Sequence, residues 1–277
     1  MKEVYVKSWD EFEKQHRALE HERIQTESSS KFLYRGQGDR ERKLLTTLER
    51  NGQSGLTLKH HLIFAAKPQI ESFTGGNWNI LSYPKGFDAW LQDQNTNLPL
   101  AFGFSTEFQT TYSYMVYLRH YGFPSPLLDW TASPYVAAHF AFKDALRRDD
   151  EWVSIYVYLE STSEFGLKAR SIDRPDIYTF GPYVKTDRRH FTQQSRYTIC
   201  IIHDAGEWRY ASHEKAFDRC DPNQDILCKF NIPCSEGLKV AKLLDRYNVN
   251  ALSLFGSEEG LMETVALREI HFRDSEL

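Results

Sequence analysis

Residues Arg119 to Lys143 constrain this chain more than any other stretch, because turn, strand, polar junction and helix signals follow one another without a gap. Gly122, Pro124 and Pro126 lie within five residues and block a helix, which forces a turn. Leu127, Leu128 and Trp130 then make the short apolar run of a buried strand. Ser133-Pro134 is a helix start: the hydroxyl can accept from a free amide, and proline is tolerated at the first helical position. Val136, Ala137, Phe140 and Ala141 share one face of that helix, and the small alanines let it lie close to a sheet. Asp129 to Ser133 therefore form a polar mouth between a strand end and free helix amides, a good place to hold a ligand. The competing reading is that Asp129 and Ser133 only cap and tie the junction.

The rest of the chain supplies elements around this unit. Ser8 and Glu11 form a capping box ahead of a helix over Trp9–Glu22. Lys31 to Tyr34 reads as a short strand delivering Arg35-Gly36-Gln37-Gly38 at its end, a candidate anion clamp in which glycine lets backbone approach a ligand; the competing reading is a structural arginine paired with a carboxylate such as Asp129. Leu44 to Arg50 should pack beside that clamp, and residues 51–102, with a helix around Leu58–Phe73, read as a peripheral insertion into a single domain of 277 residues. Thr106–Leu118 is an aromatic-rich helix, and Trp152–Leu159 is a strand. Ser161–Pro182 reads as a loop. The run beginning at Lys185 is basic at its start and a buried strand at its end, with Gln193 and Gln194 at the strand entry. The basic start could receive a phosphate-bearing substrate, although solvated charge is the commoner meaning of such a run. Asp204–Asn223 reads as a variable loop, Asp225–Ile232 as a strand, Ser235–Tyr247 as a helix and Asn250–Leu254 as a last short strand. Ser257 opens a final helix with Glu258 and Glu259 in its first turn, where carboxylates satisfy the helix dipole.

Charge and cysteine usage narrow the function classes. A net charge of −4 argues against bulk attraction to nucleic acid but leaves a local basic patch open. Aromatics make up 14% of the chain, enough for a core, a groove or base stacking. Met1 is followed by Lys-Glu-Val-Tyr-Val, with neither the apolar stretch of a secretory signal nor a membrane-spanning run behind it, so a cytoplasmic protein is expected. Cys200, Cys220, Cys228 and Cys234 lack C-x-x-C spacing, which favours reduced thiols over a zinc site, and no metal is expected.

Taken in order, Tyr34-Arg35-Gly36-Gln37, Leu45 to Arg50, His120-Tyr121-Gly122-x-Pro124 and Leu127-Leu128-Asp129-Trp130-Thr131-x-Ser133-Pro134 resemble the FRG domain family. Ser8 to Phe12, His190 to Thr198 and Leu254 to Leu261 look like further pieces of the same pattern. Pro126 stands where the pattern has a basic residue, and Gly256 where it has a proline. The motif layout is also similar to that of NAD-dependent ADP-ribosyltransferases. That resemblance implies an α+β fold with a central mixed or antiparallel sheet and surrounding helices. It further implies NAD as co-substrate, a macromolecular acceptor (nucleic acid or protein), and a role as bacterial toxin or antiphage effector with a neutralising antitoxin. Arg35 would grip ribose and pyrophosphate, Thr131 and Ser133 would orient the nicotinamide ribose, and Gln194 or Glu259 would complete the catalytic set. Gly36, Gln37, His120, Tyr121, Asp129 and Trp130 would line the cofactor pocket. The alternative is a non-catalytic nucleotide or nucleic-acid binding module using the same pocket, with Trp130 and Tyr121 for stacking. An acid–base hydrolase built on Asp129 and His120 is less favoured, because nothing places a nucleophile beside them.

Overall fold

Alternation along one strand organises the molecule. In β4 (Trp152–Leu159), Val153, Ile155 and Val157 face one hydrophobic cluster while Tyr156 and Tyr158 face another. Both faces of the sheet are therefore covered. The computed structural model describes residues 1–25, 30–50, 56–78, 80, 106–143, 145, 151–160, 174–181, 184, 186–205, 207–217 and 225–273.

The strands are β1 (Lys2–Tyr5), β2 (Leu33–Gln37), β3 (Leu128–Thr131), β4, β5 (Asp176–Phe180), β6 (Ser195–Asp204), β7 (Glu207–Tyr210) and β8 (Ile226–Pro233). They form one open sheet in the order β1-β8-β4-β2-β3-β6-β5, with β7 extending from β6. Every pairing is antiparallel except β1 with β8, so the expected α+β fold with a mixed sheet is what the chain adopts.

One face is covered by α1 (Trp9–Gln25), by the helix after β3 and by a helix near the C-terminus. In chain order the remaining helices are α2 (Thr47–Arg50), α3 (Leu56–Thr74), α4 (Thr106–His120), α5 (Pro134–Phe142), α6 (Arg188–Thr192), α7 (Gly237–Arg246), α8 (Ala251–Phe255) and α9 (Glu258–Ala266). Trp9 and Phe12 of α1, Ala137 and Ala141 of α5, and Val240 and Leu244 of α7 pack on Ile155, Val157 and Phe230 of the sheet. Burial of each large apolar side chain here is worth roughly 1.5–3 kcal/mol. Tyr114, Met115 and Leu118 of α4 cover Tyr197, Ile199 and Ile201 of β6. Leu44 and Phe217 close the other face over Leu128, Trp130 and Tyr158. No helix among the described residues is long and apolar enough to cross a membrane.

Several local expectations are corrected. Asn250–Leu254 is not a strand: Asn250 and Ser253 form a reciprocal capping box, and α8 follows, ended by Gly256 in the left-handed region. The β-like apolar pattern there was outweighed by the cap. The interval read as a loop over Ser161–Pro182 contains β5, and the one over Asp204–Asn223 contains β7 and a 3₁₀ turn, Glu214–Phe217. These strands are short and gain their ladder from β6, which sequence pattern alone does not reveal. Lys2–Tyr5, read only for the absence of a signal, is an edge strand. The helix expected from Ser235 begins at Gly237 after a 3₁₀ turn and has no side-chain cap. Of the 51–102 insertion, the helix is described and runs Leu56–Thr74, while 51–55, 79 and 81–102 lie outside the described residues. Cys200, Cys228 and Cys234 are free thiols, and Cys220 lies outside the described residues.

Candidate functional site: a cleft in the split between β2 and β3

β2 and β3 meet at a single bridge pair, Tyr34 with Thr131. Continuing that ladder would set Arg35 against Trp130 and Gly36 against Asp129, but neither pair forms. β2 instead stays with β4 along all five of its residues, from Leu33 to Gln37, while β3 stays with β6. The two strands part, and a cleft of about 320 Å³ occupies the split, lined by Arg35, Gly36, Gln37 and Gly38 on one side and Asp129, Trp130 and Thr131 on the other.

Splaying two strands strands their polar groups, and Arg35 takes up one of them. Its Nη1 donates to the Asp129 carbonyl at 2.7 Å and to the Asp129 carboxylate Oδ1 at 2.7 Å. Arg119, at the end of α4, donates to the same Oδ1 through Nε at 3.1 Å and Nη2 at 2.6 Å. Withdrawal from water pushes the Asp129 carboxyl up, but the Arg119 and Arg35 guanidiniums overcome this and hold it well below the usual carboxylate range. Asp129 is thus ionised at any working pH. Both arginines use Oδ1 of a cleft-lining side chain that is 41% exposed.

Positive charge exceeds this one carboxylate. Arg42 and Arg189 also line the cleft, and neither forms an ion pair among the described residues. Arg50 stands behind them; burial and then Arg35, Arg42 and Arg119 push its pKa down. Four guanidiniums around one carboxylate make an anion-binding concavity. The remaining wall is aromatic: Phe140 and Phe255 meet edge to face at 6.1 Å, with Arg189 over the Phe255 ring at 5.8 Å. Gln37, 4% exposed, lines the cleft with both amide atoms unpaired. Such a group is rare in a folded protein and costly unless the site has a use for it.

The residues singled out from sequence separate into two groups. Arg35, Gly36, Gln37, His120, Asp129, Trp130 and Thr131 all line the cleft; Ser133, Tyr121, Gln194 and Glu259 do not stand in its lining. Arg35 lies within β2 rather than at a strand end. The opening of Gly36 is taken by α5 rather than by a ligand: a Cβ there would stand 2.6 Å from Ala141 N and closer still to the Ala137 carbonyl oxygen. Thr131 donates its hydroxyl proton to the Gln193 carbonyl at 2.7 Å and accepts from Ser133 N at 3.1 Å, and Ser133 Oγ caps α5 through Val136 N. The capping reading of Ser133 is therefore the one the geometry bears out. Trp130 is no stacking platform, because its indole is buried against Tyr158 with Nε1 donating to Thr198 Oγ1 at 2.8 Å. Tyr121 is 54% exposed, and its hydroxyl donates to Asp187 Oδ2 at 2.8 Å.

The strand-entry glutamine moves by one residue. Gln194 is exposed at φ +48 with its carbonyl accepting from Ala132 N, whereas Gln193 lines the cleft, its Nε2 donating to the Leu254 carbonyl at 3.3 Å. Glu259 is exposed in the first turn of α9, where its own amide N–H and the Ser257 hydroxyl hold its carboxyl below the ordinary value. His120 Nε2 lies 2.8 Å from the Tyr197 hydroxyl; burial, then His190, push its pKa down to about 4, so it is neutral at pH 7. Arg42, Arg119, Phe140, Tyr197 and Phe255 are not singled out as site residues from sequence, whereas Arg189 belongs to the basic run for which a phosphate-bearing substrate is one reading. Arg119 closes α4 and Phe255 closes α8, and only folding shows both facing one cleft.

Residues 30–150 match the family model of the FRG domain. That segment, under half of the chain, is similar to the FRG domain. No curated protein and no solved structure matches the chain. The match contains the aromatic-Arg-Gly run Tyr34-Arg35-Gly36 and the stretch Leu127 to Pro134, the two sides of the split. Residues beyond the matched segment, among them Arg189, Gln193, Tyr197 and Phe255, complete the cleft.

Proposed function

We propose that the chain binds NAD in the β2–β3 split and transfers its ADP-ribose to a macromolecule. The observation that carries this reading is the donor set of the cleft: Arg42 and Arg189, without ion pairs among the described residues, beside the Arg35–Asp129–Arg119 clamp, with aromatic walls and an unpaired amide at Gln37 among those residues. A pyrophosphate brings two negative charges and fits two free guanidiniums; a nucleotide base or a nicotinamide ring fits aromatic edges.

The residues then divide the work. Arg42 and Arg189 hold the pyrophosphate, with Arg119 adding field from behind Asp129. Arg35 is a positioning residue, because its Nη1 is committed to Asp129 and fixes the carboxylate across the split. Asp129 Oδ2 accepts from a ribose hydroxyl, the role expected of Gln194 or Glu259, which stand outside the lining. In the transfer the bond from ribose C1′ to the nicotinamide nitrogen breaks, the electron pair leaves with nicotinamide, and an acceptor nucleophile bonds C1′ and releases its proton to solvent. A fixed carboxylate near C1′ favours the positive charge that develops there.

A second reading, a nucleotide-binding module without chemistry, is favoured by one observation: two guanidiniums neutralise Asp129 and weaken its hold on a developing cation. Incubation with labelled NAD and separate pools of RNA, DNA and protein decides between them. Transferase activity requires label transfer and nicotinamide release by wild type, loss of both in Arg35→Ala and Asp129→Asn, and little change in Glu259→Gln. Nucleotide binding with no nicotinamide release from folded protein in any pool would leave the binding module.

A further inference from the structure

The basic run that precedes β6 is not used up by the cleft. Arg188 and Arg189 open α6; Arg189 reaches the cleft, whereas Arg188 is exposed, does not line the cleft and forms no ion pair among the described residues. A second cavity of about 340 Å³ lies on that side, lined by Arg188, Arg189, Thr192, Asn248, Ser253 and Phe255 among others, with no carboxylate among the described residues of its lining. Arg189 and Phe255 line both cavities, so the two adjoin at that pair. The acids that act on Arg189 are already engaged. Asp187 accepts from the Tyr121 hydroxyl and from Arg189 N, and Glu259 is held at the start of α9. Exposed rings flank the same segment: Phe191 is 63% exposed, and Tyr121 lies under the Arg189 guanidinium at 5.7 Å.

From this arrangement we infer that the second cavity is the acceptor subsite of the proposed transferase and that the acceptor is a single-stranded nucleic acid. The inference rests on the reading of the first cleft as an NAD site. Arg188, a guanidinium without a carboxylate partner among the described residues, suits a phosphodiester backbone, and exposed rings suit unstacked bases. The chain as a whole carries −4, so the attraction is confined to this face and does not depend on bulk charge. A strand held by Arg188 would pass Phe255 and present a base or ribose nucleophile to C1′ of the bound NAD. The bond to nicotinamide breaks as the new one forms, and the acceptor proton leaves to solvent.

Fluorescence anisotropy of labelled single-stranded RNA and DNA of about 12 nucleotides, together with the thermal shift caused by NAD, tests this on the full chain. Wild type should bind an oligonucleotide at about 50 mM salt and lose most of that binding by about 200 mM. Arg188→Glu should weaken it about tenfold and flatten the salt dependence, and Phe191→Ala should weaken it severalfold, both with an unchanged NAD shift. Absence of oligonucleotide binding by wild type, binding indifferent to Arg188→Glu, or transfer of label from NAD to the protein pool alone would overturn the inference. An NAD shift without oligonucleotide binding refutes only the acceptor assignment. Oligonucleotide binding that depends on Arg188, without any NAD shift, supports a nucleic-acid site and refutes the NAD reading.

Discussion

Replacing Gly36 by alanine should damage this fold more than any other single methyl group added to the cleft. α5 crosses β2 so closely that the new Cβ would lie 2.6 Å from Ala141 N, and nearer still to the Ala137 carbonyl oxygen, where ordinary contact begins at 3.4 Å. Both obstacles are backbone, so no rotamer change relieves them. The Ala141 amide alone demands a retreat of about 0.8 Å and the nearer Ala137 oxygen demands more, and even a gap of about 0.8 Å forfeits a quarter to a half of each dispersion contact along the seam. α5 buries Val136, Ala137, Ala138, Ala141 and Phe142, so the loss falls on the whole element, and overpacking of this kind costs about 3 kcal/mol. For a chain of this length each kcal/mol lowers Tm by about 2–4 °C, which predicts a fall of roughly 6–12 °C in a thermal melt. Because Ala137 and Phe140 also line the cleft, ligand affinity should fall with it. Gly122→Ala separates steric from conformational causes: that glycine has φ +82 and open space around its Cβ position, so only strain of about 1–2 kcal/mol is expected. A Gly36→Ala protein melting within about 1 °C of wild type would refute the reasoning.

Three other perturbations test different parts of the argument. Burial pushes His213 down to about 3 and His139 and His120 down to about 4, so each binds its proton more readily unfolded than folded. Their contribution is fully present above about pH 6.5 and is lost as pH falls toward 4, at up to roughly 1.4 kcal/mol per pH unit for each histidine. Urea melts should therefore show a flat midpoint from pH 7 to 8 and a steep decline below 6.5; a flat profile down to pH 5 would contradict the buried, neutral assignment. Gln37→Met removes two buried unpaired polar atoms at similar volume, so Tm should not fall, while nucleotide affinity should drop about tenfold. A Tm several degrees lower would show that the folded protein satisfies this amide, for instance with a buried water. Trp130→Phe should cost about 1–2 kcal/mol through the lost bond to Thr198 and leave nucleotide affinity unchanged; a tenfold loss of affinity would return the indole to a ligand role.

What the sequence determined by itself is local. The turn at Gly122–Pro126, the strand through Leu128 and the Ser133-Pro134 helix start are each set by the backbone limits of glycine and proline and by one hydroxyl. They stand where the sequence places them. The buried alternation of Trp152–Leu159 likewise specifies a strand wherever it lies, and the FRG pattern places both sides of the split before any fold is known. Strands without such signals were not legible: β5 and β7 exist because β6 offers them a ladder, and Asn250–Leu254 turned helical because a reciprocal cap outweighed a short apolar run. The site depended on tertiary structure even more. Arg119, Asp129, Arg189 and Phe255 come from separate elements, and only tertiary packing around the split brings them into one cleft lining. Nor could sequence tell Gln193 from Gln194, since a left-handed turn at one residue decides which amide faces the cleft. Hydrogen-bond capping and chain stiffness act over a few residues and are written in order along the chain, whereas charge pairing and cleft formation depend on distances through space that only packing sets.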